Sequence, residues 1–376
     1  MANRILTTHT GSLPRPADLS EMMIAFNNDR QEAPNLWQRV AEATKEVIAR
    51  QAEIGIDVPS DGEYGKQSYT GYVRERLTGY EGESRPLAGG APRDSEEFPD
   101  WVRTTAPRVT YVANSGPVQL KDRQAVRRDI ANLKSALEGK HFERVFMTAA
   151  SPGVIENFMP SVYYKTSEEY LDALAHAMSD EYHAVVDAGF DLQIDCPDLA
   201  MSRNNARFAS LSDSEFVSVA GMHIEVMNHA LQGVPREKVR LHVCWGNYEG
   251  PHVHDIPLKE IAGVLFKGNV GQISIEAANP RHAHEWAVFQ DVKLPPDTIL
   301  IPGVIDSCTN YIEHPDLVAQ RIANFARVVG PERVMAGTDC GFGTSVGPRH
   351  VAPTIAWAKL ASMVEGARAA SRELFR

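Results

Sequence analysis

The feature that most constrains this chain is an alternation. Eight short β-rich runs recur along it: residues 5–9 (ILTTH), 56–60 (IDVPS), 144–149 (RVFMTA), 191–195 (DLQID), 239–244 (VRLHVC), 272–276 (QISIE), 298–304 (TILIPGV) and 333–337 (RVMAG). Between them, residues 36–55, 167–189 and 213–233 place apolar side chains every three or four positions and end near Gly or a turn cluster, which predicts amphipathic helices. Eight β/α units in one chain point to a (β/α)8 TIM barrel, an α/β fold. A doubly wound sheet shares the local pattern, since counting units does not show closure. No G-x-G-x-x-G run follows the first strand, which weakens the dinucleotide-binding version of that alternative.

Residues 66–142 exceed one barrel unit. They contain the Gly/Pro-rich segment 84–100 and then 108–120, which reads as a hairpin turning near residues 114–116. The expectation is one barrel domain spanning residues 1–376, with a long insertion after its second strand that serves as a lid or an oligomer contact.

Composition narrows the function. Lys and Arg total 38 against 49 Asp and Glu, a net charge of −11, which argues against a general nucleic-acid or anionic-membrane binder. With 43% hydrophobic residues the chain can bury a sizeable core. There is no run of 18 apolar residues, and the first 16 residues lack the apolar stretch of a secretory signal, so the expected location is cytoplasmic. Four cysteines are too few for a disulfide scaffold; in a reduced compartment they serve as ligands, nucleophiles or small core residues.

In a barrel, catalytic groups come from the C-terminal strand ends. Read in order, those ends carry His9, Gly11 and Ser12; Asp61, Glu63 and Tyr64; Asp195, Cys196 and Asp198; His242 and Cys244; Glu276; Asp306 and Cys308; and Asp339 and Cys340. The sharpest constellation is His242, Cys244, Glu276 and Cys340. Positions i and i+2 of a strand face the same side, so His242 and Cys244 both face the axis. Imidazole, thiolate and carboxylate are all zinc ligands, and the two soft sulfurs select Zn2+ over magnesium or calcium. Such a site carries one net negative charge and suits holding a substrate thiolate that stays nucleophilic. Taken singly, a His-x-Cys pair or Cys340 reads as ordinary core packing. Arg15, Lys66 and Arg281 read as solvated cations, Cys196 as a core residue, the histidines of 250–255 (GPHVHD) as a solvated or capping cluster ahead of a second metal site, and His314 equally as a helix-start residue or, with Asn310, a pocket contact.

These residues resemble the zinc-binding set of the cobalamin-independent methionine synthase family. The resemblance runs through TTHTGSLPRP (7–16), GIDVPSDGEYGK (55–66), DAGFDLQIDCPDLA (187–200), LHVCWGN (241–247), ISIEAAN (273–279), PGVIDSCTN (302–310) and GTDCGFGT (337–344), in the family's order. It implies a barrel with zinc held by His242, Cys244, Glu276 and Cys340, and a transferase that moves a methyl or other alkyl group to a small thiol such as homocysteine. Ser12, Glu63 and Asp195 match the positions that hold the amino-acid acceptor; His9 and Tyr64 join them as substrate-contact candidates. Zinc would make the thiol nucleophilic, since a free thiol near pKa 8.5 is mostly protonated at neutral pH. The partners implied are a small thiol and a small electrophilic alkyl donor, with a homo-oligomer compatible.

The sequence also departs from the family. There is room for one barrel, where the full-length synthases carry two. Cys196 stands where an acidic residue is usual. Cys308 stands where the family has a proton-donating His, which makes Asp306 and Cys308 the catalytic candidates. Residues 147–160 lack the Trp that stacks on folate. These changes are compatible with an epoxyalkane:coenzyme M transferase-type opening of an epoxide by a thiol. A uroporphyrinogen-decarboxylase-like lyase and a non-catalytic zinc-binding protein are the readings from other classes.

Overall fold

The computed structural model describes residues 3–29, 34–82, 84–86, 93–101, 110–121, 123–347 and 351–376. Its organising element is a curled sheet of seven parallel strands: β1 (Leu6–Thr7), β4 (Phe146–Ala150), β5 (Asp191–Asp195), β6 (Val239–Val243), β7 (Gln272–Ile275), β8 (Ile299–Ile305) and β9 (Met335–Thr338), in spatial order β1-β9-β8-β7-β6-β5-β4. The two edges, β1 and β4, are linked through residues 57–59. Asp57 and Val58 donate backbone N–H groups to Thr7 O at 3.2 and 3.0 Å, and Phe146 N–H donates to Pro59 O at 3.0 Å. Val58 also forms a parallel bridge with Thr8. Every one of the eight expected runs therefore carries backbone pairing.

Alternation along β6 shows how sequence sets the two faces. Val239, Leu241 and Val243 are buried in the main apolar core beneath the helices. Arg240 points into the ring, where Nη1 donates to Thr8 Oγ1 and Gln193 Oε1, both at 3.2 Å, and the guanidinium lies 4.2 Å over the Phe146 ring. Burial lowers its pKa to about 10, so it stays charged at neutral pH. A small apolar plug of Val58, Phe146, Ile301 and Met335 fills the interior, with Leu6 and Ile299 packed on it.

The helices predicted at 36–55, 167–189 and 213–233 form as Leu36–Ile54, Ser167–Asp187 and Asp213–Ala230. Gly55, at φ 87°, closes the first. Thr166 caps the second, and Ser212 with Glu215 forms a capping box on the third. Among the described residues no helix is long and apolar enough to cross a membrane.

The stretch 66–142 differs from expectation. Its strand β3 (Thr110–Val112) pairs antiparallel with β2 (Ser84–Pro86), not with the residues that follow it. Leu120 bridges to Leu77 instead. The physical reason lies in the turn's own partners: the Asn114 side-chain amide donates to Gly79 O and Gly116 O at 3.1 and 2.8 Å, and Pro117 has no N–H to give a ladder. Residues 108–109 of the expected hairpin, and parts of 84–100, lie outside the described residues. The stretch also contains helix Gln124–Ala136, which packs on helix Leu36–Ile54 in the place of a crossover helix before β4.

Candidate metal centre

His242, Cys244 and Cys340 offer ligand atoms that all lie within 4.8 Å of one another, and all three residues are buried. The strand period brings His242 and Cys244 to the interior, and β9 delivers Cys340 just past its last residue. The Cys244 and Cys340 sulfurs approach to 2.7 Å, and Cys340 Sγ lies 3.7 Å from His242 Nε2. His242 Nδ1 is buried and has no hydrogen-bond partner among the described residues.

The electrostatics of this trio fit a cation. Burial, with Arg240 adding to it, drives the His242 pKa down to about 3, so the imidazole is neutral and keeps a lone pair to donate. The hydrogen bond to Cys340, with burial, pushes the Cys244 thiol well up. For Cys340 the hydrogen bond from Cys244 pulls the other way, yet burial and the neighbouring Glu276, Cys308 and Asp339 still push it up to about 12. Two sulfurs this close, in a buried site, become thiolates only beside a positive charge.

Glu276 stands beside the trio and outside its compact group. Its Oε1 accepts from Trp245 N–H at 2.7 Å and its Oε2 from Asn279 Nδ2 at 3.2 Å. Asp339 fixes the loop that carries it: Oδ1 accepts from Ala277 and Ala278 N–H, both at 2.8 Å, and Oδ2 from Asn279 N–H at 2.7 Å. Gly303 makes room for this clamp, since a Cβ there would lie 2.1 Å from Asp339 Oδ1.

A second polar group borders the trio. Asp195 is the register partner of His242 on the neighbouring strand. Burial, and then the Glu63 charge, raise its pKa well above the usual carboxylate range. Its Oδ1 accepts from Gln193 Nε2 at 2.8 Å. Glu63 sits at φ 60°, an uncommon conformation for a non-glycine residue. Its Oε1 accepts from Thr148 Oγ1 at 3.0 Å, while Oε2 is buried with no hydrogen-bond partner among the described residues. Gly11, at φ 112°, leaves the space: a Cβ there would be 2.5 Å from Glu63 Oε1. Ser12 Oγ accepts from Gly343 N–H at 3.4 Å and Ser12 O from Phe342 N–H at 2.8 Å, tying the first strand end to the Cys340 loop.

Other sequence candidates fall differently. Both ring nitrogens of His9 are engaged, Nε2 with Gln51 Oε1 at 2.8 Å and Nδ1 with Gly11 N–H at 3.1 Å, and burial lowers its pKa to about 4. Tyr64 donates its hydroxyl to Pro14 O at 2.7 Å. Both residues brace the strand-end turns. Asp306 Oδ1 accepts from Cys308 N–H at 2.7 Å and Oδ2 from Thr309 N–H at 3.0 Å, so it shapes the loop that presents Cys308. Cys308 Sγ lies 3.2 Å from Asn247 Oδ1, and burial with the adjacent Asp306 pushes its thiol well up. Cys196 packs 3.8 Å from Met227 Sδ in the core, and His314 caps helix Pro315–Val329.

Two cations read as solvated are buried. Arg15 donates to Gly343 O, Glu63 O and Lys66 O at 2.7, 2.7 and 2.9 Å. Lys66 Nζ donates to Thr148 Oγ1 at 3.0 Å and lies 4.4 Å over the Tyr72 ring. Thr148 and Gln193, which the sequence reading passed over, and Lys66, which it read as solvated, border the Glu63–Asp195 pair. The signal for Lys66 was its position three residues after Glu63 on the same strand-end loop. Arg281 is exposed and donates to His252 O at 3.2 Å.

Comparison with known proteins places this geometry. The family model described as the catalytic domain of the cobalamin-independent synthase matches residues 5–85. The methionine synthase of Sulfolobus acidocaldarius is 25% identical over 98% of this chain and 93% of its own length. That of Thermococcus kodakarensis is 26% identical over 98% of this chain and 94% of its own. Two solved structures share the fold. The B12-independent methionine synthase from Shewanella sp. W3-18-1, in complex with selenomethionine, has a TM-score of 0.76 at 20% identity and covers 99% of each chain. The putative vitamin-B12-independent methionine synthase from Listeria monocytogenes has a TM-score of 0.68 at 20% identity, covering 97% of this chain and 98% of that one. With a model match at residues 5–85 and methionine synthases matched over nearly their whole length, the chain is similar to the cobalamin-independent methionine synthase family.

Proposed function

We propose that this chain is a zinc-dependent transferase that moves a methyl group to a small thiol, homocysteine first among them. It would do so on a single closed (β/α)8 barrel domain in which residues 57–59 serve as the second strand. The observation that carries the reading is the adjacency of two sets at one strand-end rim: the His242–Cys244–Cys340 trio and the Glu63–Asp195 pair, joined through the Asp195–His242 register. The methionine synthases of Sulfolobus acidocaldarius and Thermococcus kodakarensis, matched over nearly their whole length, favour a methyl group as cargo.

His242, Cys244 and Cys340 would hold the zinc, with Glu276 the carboxylate nearest to hand. When bound, zinc supplies the positive charge that keeps a substrate thiol deprotonated at neutral pH. The chain's own residues do the rest. Glu63, with Oε2 uncommitted, and Asp195 accept the acceptor's ammonium group. The Thr148 hydroxyl orients Glu63, and Lys66, donating to the same hydroxyl, offsets part of the negative charge of the pair. Ser12 braces the first strand end against the Cys340 loop. The sulfur forms a bond to the donor's methyl carbon, and the bond to the leaving group breaks with its electron pair going to that group. The Cys308 thiol, kept protonated by burial and Asp306, is placed to give that group a proton.

The test is metal content together with thiol binding. Purified protein is assayed for zinc per chain and titrated with homocysteine and, separately, coenzyme M while proton release is followed. About one proton released per homocysteine, dependent on zinc, is the expected result. Release with coenzyme M alone would replace homocysteine by a sulfonate thiol. Metal without a response to either thiol would overturn the transferase reading.

A further inference from the structure

Behind the Glu276 loop lies a second cluster that the proposed reaction does not use. His252 and Asp255 come from the loop after β6, and His282 from the loop after β7. All three side chains are buried, with the Asp255 side chain 3% exposed. His252 Nδ1 lies 2.8 Å from Asp255 Oδ2, and His282 Nε2 lies 2.9 Å from the same oxygen. The three donor atoms fall within 4.8 Å of one another.

Both outer nitrogens act as donors. His252 Nε2 donates to Tyr248 O at 3.1 Å, because a carbonyl only accepts. His282 Nδ1 donates to the Glu285 carboxylate at 2.8 Å. Burial lowers both pKa values, but the Asp255 carboxylate outweighs it and raises them, His282 to about 10 with Glu285 adding to the effect, so without a metal the His282 ring carries a second proton at neutral pH. With one proton per ring, each inner nitrogen turns a bare lone pair toward Asp255 Oδ2. Three lone-pair atoms cannot converge in a buried site without positive charge between them. Two extra protons or one divalent cation would supply the same charge. Two features favour the cation. Asp255 Oδ1 is buried and accepts no hydrogen bond among the described residues, although two imidazolium rings would have this second oxygen to share. A metal uses it as a fourth donor, through a bidentate carboxylate. Outer nitrogens anchored on a carbonyl and a carboxylate are also what orients metal-binding histidines.

The rings are held rigidly. Tyr248 stacks on His252 with centroids 4.3 Å apart, and Trp245 lies against His282 at 4.4 Å. His252 is kept at φ 55°, a conformation that costs energy for a residue with a side chain.

We propose that His252, Asp255 and His282 form a second metal site, distinct from the His242–Cys244–Cys340 centre, that takes a divalent transition cation, zinc foremost. Its donor set is two imidazole nitrogens and a carboxylate, with no sulfur. Tetrahedral donors at ~2.0–2.1 Å from zinc sit roughly 3.3 Å apart, so the two nitrogen–oxygen distances of 2.8 and 2.9 Å need to open by about half an ångström. The ion would pin the loop after β6 to the loop after β7, the two loops that carry Cys244 and Glu276.

The experiment is a metal count. Metal-free protein is loaded with excess zinc, desalted and weighed by native mass spectrometry, and the bound ion's neighbours are read by X-ray absorption. The wild type should hold two ions. The Cys244→Ser/Cys340→Ser variant should hold one, surrounded by nitrogen and oxygen only. Asp255→Asn should lose one ion and keep a sulfur-ligated one. A cysteine double variant that holds no ion, or an Asp255→Asn count equal to wild type, overturns the proposal. A wild type with a single sulfur-ligated ion does the same. A wild type whose single ion has no sulfur neighbour would instead remove the metal centre of the proposed reaction and leave this site standing.

Discussion

The hydroxyl of Thr148 donates to Glu63 Oε1 at 3.0 Å, while the other carboxylate oxygen of Glu63 has no partner among the described residues. One oxygen is thereby fixed and the other left to act. Thr148→Val keeps the shape and removes the donor. A buried acceptor that loses its bond costs about 1–3 kcal/mol. We expect weaker homocysteine binding, by roughly 10-fold, with zinc content unchanged. Calorimetric titration on zinc-loaded protein measures both.

Glu63→Gln and Asp195→Asn test the ammonium contact directly. Hydrogen bonds to charged groups are worth about 1.5–3 kcal/mol, so each change should cost about 10- to 100-fold in kcat/KM. Zinc per chain should stay at the wild-type value. Loss of zinc in either variant would reassign the residue to the metal.

Cys340→Ser should abolish zinc retention at the first centre and remove methyl transfer. The hydroxyl of serine does not ionise at neutral pH, so the trio loses a soft anionic donor. Sulfur neighbours seen by X-ray absorption should fall with the substitution.

His9 gives the fold an acid weakness. Its folded pKa lies at about 4, below the ~6.5 of an unfolded histidine. Between those values the unfolded chain binds a proton that the folded chain refuses, so stability falls as pH falls. The slope is about 1.4 kcal/mol per pH unit between those values; the contribution to stability is present in full above pH ~6.5, and its loss flattens below about 4. His9→Gln should lose that part of the slope. Urea midpoints at pH 7 and pH 5, for both proteins in the same metal state, measure it.

Gly11→Ala should behave as a site variant. At φ 112° and with Glu63 Oε1 2.5 Å from its would-be Cβ, the methyl displaces the carboxylate. We expect a loss of about 1–3 kcal/mol in stability and thiol binding weakened at least as much as in Thr148→Val. Denaturation and titration on one preparation separate the two effects.

Much of this was legible in the sequence, for identifiable reasons. Alternation in VRLHVC fixes which of its residues face inward, so His242 and Cys244 were readable from period alone. The Gly at position 55 marked the end of the first long helix. What was not legible depends on contacts distant in sequence. Lys66 reads as a surface cation until the Thr148 and Tyr72 side chains enclose it. His9 reads as a substrate contact until Gln51 takes its ring nitrogen. The pairing of β3 with β2 was missed because the decisive partner, Gly79, lies 35 residues from Asn114. The histidines of 250–255 read as solvated because nothing nearby announces His282.

The clamp of Asp339 on residues 277–279 has a wider consequence. Cys340 follows Asp339 in the chain, and Glu276 precedes the three backbone groups Asp339 grips. Two corners of the reactive rim are thus mounted on one bracket. A side chain at Gly303, which itself touches no reacting group, would push that bracket out of true and move both corners together. In a survey of inactive variants, Gly303 should therefore score among the reactive residues while binding nothing itself.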